Sequence, residues 1–86
     1  MDELAKWRRR IDEIDAQLVE LLNERAASAV EIGKIKRKQK MDIYNPEREK
    51  NIIQRICQLN KGPLDDDAIQ RIFQQIIEEC RNIENI

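Results

Sequence analysis

Between Leu4 and Lys38 the chain has no proline and a single glycine, Gly33, while apolar residues recur at Leu4, Trp7, Ile11, Ile14, Leu18 and Leu21. Steps of three and four residues place these side chains on one narrow stripe of an α-helix. About 35 residues at 1.5 Å each make that helix roughly 52 Å long. The whole chain is 86 residues. A compact monomer of that size has a radius of gyration of about 12 Å and a diameter near 31 Å. The helix therefore overshoots its own domain, and its apolar seam persists along the overshoot. A symmetric dimer with two long helices packed together is the simplest cover. A kink at Gly33 is the alternative, and it shortens the helix by only about one or two turns.

The rest of the chain reads as two shorter helices. Ala26, Ala29, Val30, Ile32 and Ile35 continue the first helix with smaller side chains, and Lys36-Arg37-Lys38-Gln39-Lys40 offers cations to its C-terminus. Met41 to Tyr44 is a linker. Asn45-Pro46-Glu47 opens the second helix, with Asn as N-cap, Pro in the first position and an acid in the first turn. It is predicted from Pro46 to about Asn60, with Ile52, Ile53, Ile56, Cys57 and Leu59 facing inward. Lys61-Gly62-Pro63 ends it, Gly62 serving as a left-handed cap. Asp65 caps a third helix, Asp66 and Asp67 complement its positive end, and Ile69, Ile72, Phe73, Ile76, Ile77, Cys80 and Ile83 form its apolar stripe. Two Pro and two Gly leave little material for the turns of a sheet. The predicted architecture is all-α: three helices, the first much the longest, in one domain over residues 1–86.

Composition narrows the function classes. Sixteen Lys and Arg against seventeen Asp and Glu give a net charge of −1, which argues against a nucleic-acid partner. Two cysteines and no histidine provide neither a four-ligand zinc site nor a triad base. There is no apolar run near the ~20 residues of a membrane span, and no apolar signal region follows Met1. The expected setting is cytoplasmic and reducing, with no membrane partner, and Cys57 and Cys80 read as small buried hydrophobes.

A few charges violate the pattern. Continuing the alternation past Leu21 requires apolar residues at 25, 28, 32 and 35; the chain has Arg25, Ser28, Ile32 and Ile35. At about 100° per residue, Arg25 and Lys36 point within roughly 20° of Leu18, the middle of the stripe. A cation there is costly unless paired. Either both snorkel or pair with buried acids, or they hold an anionic ligand inside a helical bundle. Glu84 likewise extends the stripe of Phe73, Ile77 and Cys80. Either it frays into water, or it is a desolvated carboxyl that donates a hydrogen bond when protonated. Arg48 and Glu49 read as a solvated surface pair, and Arg8 as surface charge beside Arg9 and Arg10. Arg8 and Arg25 lie about 26 Å apart along one helix, so a single small ligand cannot touch both in one chain. Antiparallel pairing in a dimer would bring them together.

The ordered set Arg8-x-x-Ile-Asp-x-Ile-Asp15, Leu21-Leu22-Asn-Glu-Arg25, Glu31-Ile-Gly-Lys-x-Lys36, Asn45-Pro46-Glu47-Arg48-Glu49, Gly62-Pro63-Leu64 and Ile72-Phe73-x-x-Ile76-Ile77 resembles the all-helical chorismate mutases. The resemblance covers nearly the whole chain and is nearest to the mutase domains often fused to prephenate dehydratase. It implies a three-helix protomer in an intertwined homodimer with two shared active sites. The implied reaction is the Claisen rearrangement of chorismate to prephenate, a pericyclic shift that needs no nucleophile, metal or cofactor. By position, Arg25 and Arg8 of the partner subunit would clamp two carboxylates, and Lys36 would reach the ether oxygen. Glu49 would accept from the ring hydroxyl, with Arg48 alongside and the backbone near Asn45 helping. Glu84 would be the second donor to the ether oxygen, which implies activity favouring mildly acidic pH. Cys80 replaces a frequent Ser beside the ring carboxylate, and Ile32 forms an apolar wall. Isochorismate-pyruvate lyase on the same scaffold, and a non-catalytic helical dimerisation or effector-binding module, are the alternatives. A pure dimeriser would favour Leu at position 25.

Overall fold

The structure, a computed structural model, describes residues 2–85. Among them are three α-helices and no strand: α1 (Glu3–Lys38), α2 (Pro46–Leu59) and α3 (Asp66–Glu84). α2 and α3 open at the predicted caps, the Asn45 side chain accepting from the Arg48 N–H and the Asp65 side chain from the Ala68 N–H. α1 passes through Gly33 without a break and stops in a left-handed turn. Lys40 has φ of 58°, the Met41 N–H donates to the Lys36 carbonyl at 2.8 Å and the Lys40 N–H to the Arg37 carbonyl at 3.3 Å. These paired bonds satisfy carbonyls that the helix end leaves open.

The end of α2 differs from its expected form. The helix stops at Leu59 with Asn60 as its cap, and Gly62, at φ of 74°, lies in the following turn rather than at the cap. The Asn60 amide fastens that turn by donating to the Leu64 carbonyl and to Asp66 Oδ1, both at 2.8 Å. Leu59, expected to face inward, is 63% exposed. It sits in the last turn of α2, and the facing start of α3 is acidic, so no apolar side chain covers it. Ile72 is exposed and Cys57 only half-buried, because the first half of α3 has a helical neighbour on one side only.

α3 is the one helix that packs against both others; α1 and α2 do not approach each other. The molecule measures 58 × 23 × 15 Å with a radius of gyration of 16.2 Å, so α1 does outrun its own domain. Residues 2–24 are exposed throughout, including Leu4, Trp7, Ile11, Ile14, Leu18, Val19, Leu21 and Leu22. Among the described residues, the buried apolar side chains are Ala29, Ile77 and Cys80, all where α1 crosses α3.

Gly33 makes that crossing close. A Cβ there would collide with the Glu84 carbonyl oxygen and lie 3.0 Å from the Glu84 Cα. One turn further along α1, the Arg37 guanidinium donates to the same carbonyl at 2.8 Å, giving the negative end of α3 a cation. Gly33→Ala forces the helices apart and is expected to destabilise the chain by about 1–3 kcal/mol in urea unfolding, the usual range for overpacking. Unchanged stability would show that the crossing has room to spare.

Candidate active site

The gap between α1 and α2, floored by α3, is a cavity of about 330 Å³. Each helix contributes residues at the spacing of a single face. α1 supplies Arg25, Ser28, Ala29, Ile32 and Lys36; α2 and its cap supply Asn45, Arg48, Glu49 and Ile52; α3 supplies Ile77, Cys80, Arg81 and Glu84, and the linker adds Ile43. Because α1 has no kink, Arg25 and Lys36 stay three turns apart on one line and face the same space.

Four cations (Arg25, Lys36, Arg48 and Arg81) meet two carboxylates (Glu49 and Glu84), an excess of two positive charges. The Lys36 and Glu84 side chains are 14% and 13% exposed, with Nζ and Oε1 3.0 Å apart. Lys36 Nζ directs its hydrogen bond elsewhere, to the Ile43 carbonyl at 2.8 Å. Glu84 Oε1 is buried without a hydrogen-bonded partner. The short separation and the missing hydrogen bond are compatible: the charges attract, but the pair's angles are not those of a hydrogen bond. A buried acceptor left in this state is unfavourable and is relieved by a donor. Arg81 Nε lies 3.5 Å from Glu49 Oε2, both side chains mostly buried. Among the described residues, the Arg25 and Arg48 guanidinium groups have neither a carboxylate nor a hydrogen-bond acceptor.

Eight of the residues selected from the sequence thus line one cavity: Arg25, Lys36, Glu84, Glu49, Arg48, Asn45, Ile32 and Cys80. The ninth, Arg8, is exposed on the projecting half of α1, well outside it. Glu84 is no frayed end. It closes the last turn of α3, and its carbonyl is held by Arg37. For Lys36, pairing with a mostly buried acid is what the single chain shows; Arg25 is half-buried and, among the described residues, unpaired. Arg48 and Glu49 face the cavity instead of forming a surface pair with each other. Ser28 and Arg81 also line the cavity, although neither was selected as a site residue. Arg81 follows Ile77 by four residues and precedes Glu84 by three, so helical spacing was the signal that could have found it.

Three helices around a cationic, part-apolar cleft define an all-helical domain with a charged cavity between α1 and α2. The family model for chorismate mutase type II matches residues 7–85, and the chain belongs to that family. It is 46% identical to the bifunctional chorismate mutase/prephenate dehydratase of Neisseria gonorrhoeae over 85 residues, 98% of this chain but 23% of that protein. The chain therefore spans about a quarter of the length of the bifunctional relatives it matches. It is 38% identical to the chorismate mutase of Methanocaldococcus jannaschii, covering 98% of this chain and 86% of that one. Among solved structures, chorismate mutase (form II) from Thermus thermophilus superposes with a TM-score of 0.95 at 25% identity, over 96% of this chain and 94% of that one. The Helicobacter pylori chorismate mutase in complex with prephenate superposes at 0.85 with 30% identity, over 94% and 88%.

Proposed function

We propose that this chain is a chorismate mutase that rearranges chorismate to prephenate within the cavity between α1 and α2. The observation that carries the proposal is the set of charges facing one space: two guanidinium groups that, among the described residues, have no acceptor or carboxylate, and a mostly buried lysine beside a carboxylate oxygen that lacks a hydrogen bond. The relative from Helicobacter pylori holds prephenate on the same fold, which supports a dianionic ligand here. Residues 1–86 act as one mutase domain in a cytoplasmic, reducing setting where Cys57 and Cys80 remain the free thiols they are.

The reaction proceeds within one substrate, so the protein's task is conformational and electrostatic. Even the lower end of enzymatic acceleration, ~10⁶-fold, requires about 8 kcal/mol of differential stabilisation. Arg25 and Arg8 of the partner subunit grip the carboxylates as bidentate pairs. Lys36 and Glu84 turn towards the ether oxygen, where negative charge grows as the C–O bond breaks. Glu49 accepts from the ring hydroxyl beside Arg48 and Asn45, Ile32 walls the apolar side, and Cys80 lies by the ring carboxylate.

The intertwined homodimer is part of the proposal. It is supported by the uncovered apolar stripe of α1 and by the small buried core, three apolar side chains among the described residues, against the conformational entropy of the chain. It also supplies Arg8, which one chain cannot bring to its own cavity.

Purified protein is expected to consume chorismate with prephenate as the product; pyruvate release or no turnover overturns the assignment. Arg25→Ala should lower kcat/KM by about 10³-fold, the scale for losing one transition-state donor, with the elution volume in size exclusion unchanged. Arg8→Ala should be similarly impaired. Refolding the two inactive variants together should restore up to about a quarter of wild-type activity, since half of the random dimers then carry one intact site. No recovery means the site is not shared.

Glu84→Gln keeps a hydrogen-bond donor at this position and should retain more of kcat/KM than Glu84→Ala. Equal losses in the two variants would remove Glu84 from the ether-oxygen contact.

A further inference from the structure

The cavity has two walls of different origin. α1 is fixed on α3 by the Gly33 crossing, but α2 is not packed on α1, and its cap and first turn carry Asn45, Arg48 and Glu49 into the cavity from the end of a linker. Lys36 ties that linker to α1 through the Ile43 carbonyl at 2.8 Å. Arg81 is placed to tie the same turn to α3. Its Nε lies 3.5 Å from Glu49 Oε2, and its guanidinium carbon sits 4.7 Å from the centre of the Tyr44 ring. One side chain on α3 thus grips both the residue before the α2 cap and the carboxylate one turn into α2. Tyr44 is itself exposed, so burial does not hold its ring in place. Arg81 also borders two outer grooves, one reaching Tyr44 and one reaching Gln70 and Gln74, and so forms the partition between the cavity and open solvent.

We propose that Arg81 is a positioning residue: through Glu49 and Tyr44 it clamps the first turn of α2 to α3 and sets the width of the active cavity. It acts on substrate only through the groups it holds. The guanidinium is suited to this because its edge pairs with a carboxylate while its face stacks on an aromatic ring. The catalytic part of this inference rests on the proposed mutase reaction; the structural part does not.

Hydrogen exchange tests the structural part. The Arg48 N–H donates to Asn45 Oδ1 and the Glu49 N–H to the Asn45 carbonyl, both at 3.1 Å. In Arg81→Met and in Tyr44→Leu these two amides should exchange about tenfold faster, with amides in the middle of α1 and α3 unchanged. The Tyr44→Leu variant alters an exposed side chain, so it keeps the test alive if Arg81→Met fails to fold. Unchanged exchange, or equal acceleration in all three helices, overturns the clamp.

Kinetics test the rest. Arg81→Met should lower kcat/KM for chorismate about tenfold, and Arg81→Lys should recover part of that loss. The Glu49→Gln/Arg81→Met double variant should be no worse than Glu49→Gln alone, as for residues acting in series. A fully additive double variant would mean that Arg81 does not act through Glu49. A wild-type protein that leaves chorismate intact would defeat the mutase assignment, yet the exchange result would still decide the clamp.

Discussion

The close crossing of α1 and α3 at Gly33 is the contact on which the rest of the arrangement depends. With no Cβ at that position, the backbone of Glu84 lies directly against α1. Helical spacing does the remainder. Three residues beyond Gly33, Lys36 meets the Glu84 side chain; four residues beyond, Arg37 meets the Glu84 carbonyl. One missing methyl group therefore positions both the main chain and the side chain of the same residue. It also fixes the register in which Cys80, Arg81 and Ile77 face the cavity, since they share a rigid helix with Glu84.

Placing charges there is unfavourable for folding. Removing Lys36 and Glu84 from water costs more than their attraction returns unless hydrogen bonds complete the site, and Glu84 Oε1 has none. A chain with so few buried apolar side chains has little stability to spend on such an arrangement. The unfavourable electrostatics make sense as preorganisation. Donors and charges already aimed at a small space need not reorganise when an anion arrives, and that fixed orientation is the main electrostatic advantage a protein site has over water. The cationic excess in the cavity works in the same direction. It is local, because the chain as a whole carries a net charge of −1.

Helix boundaries were legible because caps are local chemistry. Asn45 and Asp65 satisfy backbone N–H groups within three residues of themselves, so no knowledge of tertiary structure is required. The charges at 25, 36 and 84 were legible because periodicity states which face a residue occupies. Periodicity does not state what covers that face. Leu59 and Ile72 sit on the predicted stripes and are nevertheless exposed, since no neighbour lies opposite them. Arg81 is the converse. It occupies the flank of the stripe, where a cation is unremarkable, and acquires its meaning only from Glu49 and Tyr44 on another helix and a linker. Glu84 stood between the two cases. Its face was readable, but whether the last turn of α3 frayed depended on Arg37, forty-seven residues away.

The projecting half of α1 and the incomplete cavity are two deficits with one geometric remedy in the proposed dimer. Suppose two copies of α1 pair antiparallel in the register that sets Arg8 level with Arg25. Trp7 then falls level with Ala26, Leu4 with Ala29 and Ile11 with Leu22. At the Trp7 level a bulky side chain of one helix meets a small one of the other, as interdigitating helices require, while Ile11 and Leu22 meet as two large apolar side chains. Ala26 and Leu22 border a largely apolar cavity of about 540 Å³ beside α3, lined also by Ile76, Cys80 and Ile83. A tryptophan delivered at that level would have a place to go. Within one chain Trp7 is 62% exposed, with the Lys6 ammonium 5.7 Å from the centre of its ring. The register set by the two arginines is also the one that brings Trp7 level with Ala26, so the packing of the helix and the chemistry of the site favour the same alignment.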